Sequence, residues 1–419
     1  MQYLAILGRQ PKISLAELES QFSDVSVVAG SKNLLATFES ETDPEIARLG
    51  GVIKLAKPID GGSAAPEKFL EIFASSTGFS SKFVIGVSDY SKGASARKAQ
   101  GEALHIKRAM KKAGFSVRVL PNKDAVLSSA TAFHNQLGEK PGHFEFIKYG
   151  NNWFVGLGVQ NIKAYAERDQ ARPARDAKNG MLPPKLAQIL INLCGPLPRG
   201  ATVLDPFCGT GVVLQEALLM GYKAYGTDLS ERIVEFARKN LTWLMESEKT
   251  SSRSLASSRP VVTGAAIASL AAPLGAGRKN APVVARCSLE EYFSLSTGDA
   301  QDFVWQPPID AVAFEGYLGP PMSQAPAEIK LKQVISEIAP LYRNVLRNLS
   351  NQLQSGTPVV MAVPAWLRPD GHYQRLNILD EVEDLGYNVL KYKNLSQEDL
   401  LYFRDGQVVA REIIVLRKK

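Results

Sequence analysis

The stretch Val203-Leu204-Asp205-Pro206-Phe207-Cys208-Gly209-Thr210-Gly211 decides the fold of this 419-residue chain. An apolar strand pattern runs into a carboxylate and then into a glycine-rich turn. Residues 212–220 follow as an apolar, helix-forming run closed by Gly221. Residues 222–227 read as a second short strand that ends at Asp228. Strand, glycine turn, helix, strand and acidic end make the first unit of a doubly wound α/β sheet, a fold that binds ligands beyond the carboxyl ends of its strands.

The details of the turn select among adenosine cofactors. A dinucleotide site needs G-x-G-x-x-G, which brings a helix N-terminus to a pyrophosphate. Here the turn is D-P-F-C-G-T-G. A carboxylate at the strand end suits a cationic amino group better than a phosphate. Gly209 and Gly211 allow close approach of a ligand to the backbone, and Asp228 stands where a second-strand carboxylate accepts both ribose hydroxyls. An amino-acid end plus a ribose, without a phosphate cradle, leads to the expectation of S-adenosylmethionine.

Composition bounds the rest. The chain is 45% hydrophobic and 22% charged, with a formal net charge of +7, so it has the make-up of a globular protein large enough for two or three domains. The basic balance suits a nucleic-acid partner without requiring one. Three cysteines (Cys194, Cys208, Cys287) without a C-x-x-C pattern suggest neither a disulfide framework nor a metal site. Residues 1–8 resemble a strand rather than a leader, no apolar run is long enough for a bilayer span, and a cytoplasmic, membrane-free protein is expected.

In chain order, residues 1–62 read as a ferredoxin-like unit. Its first helix is expected to start at a capping box made by Ser14 and Glu17, and a second helix at Asp43 or Pro44. Residues 63–165 form a second α/β unit, whose helix carries Lys107, Arg108, Lys111 and Lys112. That basic run is either a solvated face or a phosphate-contacting surface. Residues 166–184 are a Pro- and Arg-rich linker, in which Arg168, Arg172 and Arg175 serve solvation or nucleic-acid contact. Residues 185–419 complete the doubly wound domain, interrupted by a low-complexity insertion at 247–282. Residues 283–286 are the expected third strand, 309–314 the fourth and 358–363 the fifth. Residues 376–385 read as a helix. The Asp405-Gly406 turn implies an antiparallel hairpin at the C-terminus, which a class I methyltransferase has and a dehydrogenase usually lacks.

The fourth strand ends at Glu315-Gly316-Tyr317. An exocyclic base amine is a weak nucleophile, because its lone pair is delocalised into the ring. Acceptors aimed at its N–H bonds free that lone pair, and an aromatic face holds the base. Glu315 and the Gly316 carbonyl are the expected acceptors, with Tyr317 stacking.

The hinge R-D-Q-A-R-P-A-R-D…G-M-L-P-P-K-L-A-Q-I-L-I-N-L, followed by L-D-P-F-C-G-T-G, resembles the THUMP-domain tRNA guanosine-10 N2-methyltransferases and their bacterial relatives. The resemblance spans nearly the whole chain. It implies a class I, Rossmann-like methyltransferase domain with a C-terminal antiparallel hairpin, preceded by ferredoxin-like and THUMP α/β domains. It further implies S-adenosylmethionine as donor, RNA and specifically tRNA as acceptor, and RNA contacts from the basic helix. Asp205, Phe207, Gly209, Gly211 and Asp228 fall on the family's cofactor positions, with Cys208 and Leu229 beside them. Two departures stand out. The family's catalytic turn reads D-P-P-Y or N-P-P-Y, whereas this chain has E-G-Y. The acidic residue that usually receives the adenine amine after the third strand is replaced by Ser288, or by Glu290 beyond it. Competing readings are an amino-methyltransferase for another RNA or for DNA, and an RNA-binding protein that keeps the cofactor site without the chemistry.

Overall fold

The computed structural model describes residues 1–31, 34–176, 181–255 and 291–419, with backbone alone for 248–255. Two sheets organise it. The first joins β1 (Gln2–Leu7), β2 (Ser23–Val27), β3 (Leu35–Glu39), β4 (Val52–Ile59), β5 (Phe83–Asp89), β6 (Val117–Val119), β7 (His143–Tyr149) and β8 (Asn152–Val159). Their order is β2-β3-β1-β4-β8-β7-β5-β6, so one continuous sheet runs through residues 2–159. The antiparallel pair β4–β8, from Lys54 opposite Val159 to Ile59 opposite Trp153, fuses its two halves. Helices α1 (Pro11–Gln21), α2 (Ala65–Thr77), α3 (Ala96–Lys112) and α4 (Ser129–His134) accompany it. Ala99, Ala103, Ile106 and Met110 bury one stripe of α3, at the i, i+3/i+4 spacing that a one-sided helix requires.

The second sheet contains β9 (Thr202–Asp205), β10 (Lys223–Asp228), β11 (Phe293–Thr297), β12 (Ala311–Glu315), β13 (Pro358–Leu367), β14 (Tyr373–Arg375), β15 (Tyr387–Val389), β16 (Leu401–Tyr402) and β17 (Val409–Lys418). The order β11-β10-β9-β12-β13-β17-β15 places the strands 3-2-1-4-5-7-6, with β17 antiparallel to β13. This is the class I methyltransferase fold. Helices α5 (Ile162–Gln170) and α6 (Pro184–Leu193) lead into it; α7 (Val212–Leu219), α8 (Glu231–Leu255) and α9 (Glu328–Gln352) cover the sheet. β9 and β12 are near-continuous apolar runs because both their faces are covered. No described helix is long and apolar enough to cross a membrane.

The halves meet through α1 and α6. Ile13 and Ala16 share a core with Leu186 and Leu190. At its edge the fully buried Glu17 accepts from Gly50 N and Gly51 N, both at 2.8 Å, and from Asn192 Nδ2 at 2.7 Å.

Several expectations are corrected. Ser14 and Glu17 lie inside α1, which starts after Gln10, so no capping box forms. Glu17 instead holds the two halves together, a tertiary use that local sequence does not reveal. The helix expected after Asp43 is a single turn, Ile46–Arg48. The 376–385 helix is reduced to the short turn Ile378–Asp380, which starts at Asn377 in a left-handed conformation (φ 60°). The third-strand position is filled by Phe293–Thr297, which pairs in parallel with β10. The expected strand at 283–286 lies outside the described residues.

Candidate active site

β9 is buried along its whole length, and Asp205 ends it with 2% of its surface exposed. Its Oδ1 accepts from Phe207 N at 3.0 Å, which folds the chain sharply after Pro206. Gly209 and Gly211 carry φ values of 52° and 84°, conformations that disfavour any side chain. A Cβ on Gly211 would also press on Ala237 of α8 at 3.3 Å. Asp228 locks the turn from the next strand: Oδ2 accepts from Gly209 N and Oδ1 from Ser230 N, both at 3.0 Å. Gly211 caps α7 without a side-chain bond, so the partial positive charge of the helix start faces the turn.

A cavity of about 530 Å³ opens above this turn. Asp205 ends β9, Asp228 ends β10 and Glu315 ends β12, while Asp299 follows β11 by two residues; all four carboxylates line the cavity. Four neighbouring parallel strands thus each deliver a carboxylate at the carboxyl edge of the sheet. Burial pushes the Asp205 carboxyl well above its ordinary value, and the nearby Asp228 and Glu315 carboxylates push it further. Burial also raises Glu315, against the pull of Arg411, whose Nε donates to Glu315 Oε1. Among the described residues, Arg411 is the cation paired with this ring.

Such a ring favours a cationic ligand. The ammonium and sulfonium of S-adenosylmethionine fit the carboxylates, and its carboxylate fits the uncapped start of α7. The volume falls within the range of small-molecule pockets. Phe207 stacks on Phe314 at 5.5 Å and supplies an apolar wall.

Of the expected cofactor residues, Asp205, Phe207, Cys208, Gly209, Asp228 and Leu229 line the cavity, whereas Gly211 shapes it from behind. Burial raises the Cys208 thiol well above its ordinary value, so it remains protonated. Ser288 lies outside the described residues. Asp299 occupies the place expected of an acidic residue after the third strand. Its Oδ1 accepts from Gln301 N at 2.9 Å, which presents the carboxylate on a tight turn. The S-T-G-D-A sequence carries this signal, ten residues beyond the strand expected at 283–286.

Of the expected catalytic turn, Glu315 and Tyr317 line the cavity. Tyr317 lies at its mouth with 51% of its surface exposed. Gly316 does not reach the wall: its N–H donates to Ala362 O at 3.1 Å. A Cβ there would lie 2.4 Å from Tyr342 Oη, which donates to Tyr317 O at 3.0 Å. The buried Tyr342, which sequence reading missed, therefore fits the glycine and fixes the turn. Burial and then the Glu315 carboxylate push its phenol well above the ordinary value, so it remains a donor.

The hinge is corrected most. Arg168 forms a bidentate pair with Glu216 of α7, at 2.7 and 3.1 Å. The Arg172 side chain is fully buried, with Nη1 3.5 Å from Thr210 Oγ1. Both side chains are engaged within the protein. They bind the hinge to the glycine turn, and Met181 and Leu182 become cavity wall. Arg175 is exposed, as are Lys107, Arg108, Lys111 and Lys112 on the outer face of α3.

Comparison with known proteins adds to this geometry. Residues 172–266 match the UPF0020 family, the RMKL-like methyltransferase domain. The matched segment contains the Asp205–Gly211 turn and Asp228. The chain is 47% identical over 75 residues to a tRNA (guanine(10)-N2)-dimethyltransferase of Methanothermobacter thermautotrophicus, which covers 17% of this chain and 22% of that protein. It is 34% identical over 106 residues to the protein of that name from Pyrococcus abyssi, covering 25% and 31%. The matches therefore span less than a third of these relatives' length. Among solved structures it is similar to TrmN from Thermus thermophilus, at 17% identity over the whole of both chains and a TM-score of 0.43. Residues 172–266, which open the doubly wound half, are therefore similar to a methyltransferase domain.

Proposed function

We propose that the protein is an S-adenosylmethionine-dependent methyltransferase that modifies the exocyclic N2 amine of a guanosine in tRNA. The observation that carries the reading is the ring of four carboxylates at the ends of four adjacent parallel strands, beside an uncapped helix start. The sequence match to proteins named for guanine-N2 methylation of tRNA supports the choice of acceptor.

S-adenosylmethionine supplies an electrophilic methyl group when bound. Asp205 and the start of α7 would hold its amino-acid end, Asp228 the ribose hydroxyls and Asp299 the adenine amine. Glu315 accepts from an N–H of the acceptor amine, orients its lone pair into the cavity and would take up the proton that the amine loses. Tyr317, held through its carbonyl by Tyr342, offers a ring at the mouth for an extruded base. Rate then comes from positioning and fixed charge, with no covalent intermediate on the protein. In this proposal residues 1–62 are the ferredoxin-like unit, 63–165 a THUMP-like RNA-binding unit, 166–184 the linker and 185–419 the catalytic domain. The exposed cations of α3 contact RNA phosphates.

The test is to incubate the purified protein with bulk tRNA and methyl-labelled S-adenosylmethionine, digest the RNA and identify the labelled nucleoside. Label in N2-methylated guanosine supports the proposal. Label confined to other nucleosides, or cofactor binding without transfer, overturns it.

A further inference from the structure

A second cavity, of about 570 Å³, lies where the N-terminal sheet, the hinge and the C-terminal hairpin meet. Three cations reach it from three separate elements. Arg9 comes from the turn after β1, Lys185 from the start of α6, and Arg404 from the turn after β16. Arg9 and Arg404 are exposed, and among the described residues no carboxylate pairs with either. Lys185 is half-buried, lies 5.1 Å from the Tyr165 ring centre and donates to Gln160 Oε1. Burial pulls its ammonium below the ordinary value, and the facing Arg9 guanidinium pulls it further. Asp169, the acidic side chain on these walls, is engaged with Arg172 at 3.8 Å.

Three like charges that converge beside a single carboxylate already engaged with Arg172 lower their energy by sharing an anion. Phe403 and Tyr402 line the same cleft and provide apolar ring faces beside the cations. Cations interleaved with aromatic rings suit a nucleic-acid strand better than an acidic peptide. The cleft is also connected to the chemistry: Tyr402 stands opposite Arg411 in register, and Arg411 holds Glu315.

We propose that this interdomain cleft grips the phosphodiester backbone of the RNA next to the nucleotide being methylated, through Arg9, Lys185 and Arg404. This rests on the RNA reading given above.

The test uses the full chain and its Arg9→Gln/Arg404→Gln double variant, with bulk tRNA and polyglutamate as probes. Binding is measured by fluorescence anisotropy across a series of salt concentrations, alongside cofactor affinity and thermal melting. The expected result is a salt dependence of tRNA binding shallower by about two in the log–log slope, one for each phosphate contact removed. The KM for tRNA rises, while cofactor affinity and melting temperature hold. An unchanged slope overturns the proposal. So does an unchanged slope with lost polyglutamate binding, which assigns the cleft to an acidic peptide. Wild-type protein that binds no tRNA overturns the RNA reading itself, and this cleft assignment with it.

Discussion

Arg411 on β17 donates to the carboxylate of Glu315 at the end of β12, and both side chains are nearly withdrawn from solvent, 6% and 13% exposed. The pair joins the antiparallel strand β17 to the residue proposed to act in catalysis. Burial alone raises the Glu315 carboxyl, and Arg411 opposes that rise. Arg411→Ala therefore leaves the acid pushed further upward, so that less of it is ionised at a given pH and it is a weaker acceptor for an amine. Methyl transfer is expected to fall about a hundredfold at pH 7 and to recover as pH rises, because a raised carboxyl ionises later. Glu315→Gln should lose a similar factor without recovery. A pH–rate profile of the Arg411→Ala variant parallel to wild type would remove Arg411 from this positioning role.

Gly316 and Tyr342 are matched in shape. A methyl group at residue 316 would meet the phenol oxygen at 2.4 Å and the ring at 2.5 Å, and Tyr342 has no exposed surface into which to move. Gly316→Ala should destabilise the protein by about 1–3 kcal/mol through overpacking and displace Tyr317. Denaturant unfolding measures the first effect. The second appears as a raised KM for tRNA. Gly316→Ala combined with Tyr342→Leu, which removes the ring, is expected to recover part of the stability.

Asp228 and Asp299 hold the cofactor in the proposed site in different ways. Asp228 also anchors Gly209 N and Ser230 N, so Asp228→Ala loses a ligand contact and the lock on the glycine turn together. Asp299 holds only its own turn. Calorimetry should show S-adenosylmethionine affinity reduced about tenfold by Asp299→Ala, the loss of roughly one charge-assisted hydrogen bond. Asp228→Ala should reduce it further and lower the melting temperature as well. Unchanged affinity in Asp299→Ala would return the adenine contact to the 283–290 region.

The doubly wound half was largely legible because its signals are local: an apolar strand, a glycine turn whose φ values admit little else, and a helix between two short strands. The hairpin was legible from Asp405-Gly406. What escaped was set by distant parts of the chain. Glu17 looked like half of a capping box because its real partners, Gly50, Gly51 and Asn192, are far away in sequence. Arg168 and Arg172 looked like an exposed basic hinge because nothing local announces Glu216 or Thr210 as neighbours. Asp299 was passed over because the chain re-enters the sheet after residues of low complexity, where periodicity gives no register. Tyr342 reads as one more apolar position on α9; its role follows only from the glycine packed against it.

The junction between the halves should carry its own pH dependence. Burial pushes the Glu17 carboxyl from 4.5 up to about 7, although the donors from Asn192, Gly51 and Gly50 pull it down. A carboxyl raised in the folded state contributes stability that is fully present below its unfolded value and lost as pH rises through its folded value. The relevant window is therefore pH 4.5 to about 7. Wild-type stability should decline across it relative to Glu17→Gln, which cannot titrate. Glu17→Ala should cost about 3 kcal/mol at pH 5, because it strands three N–H donors in the core, and the cost should shrink toward pH 8 as the wild type loses its pH-dependent contribution. Urea unfolding of the three proteins at pH 5, 6, 7 and 8 separates these contributions. A wild-type advantage over Glu17→Gln that grows with pH would mean that the three donors outweigh burial, and that Glu17 joins the two halves as a carboxylate throughout.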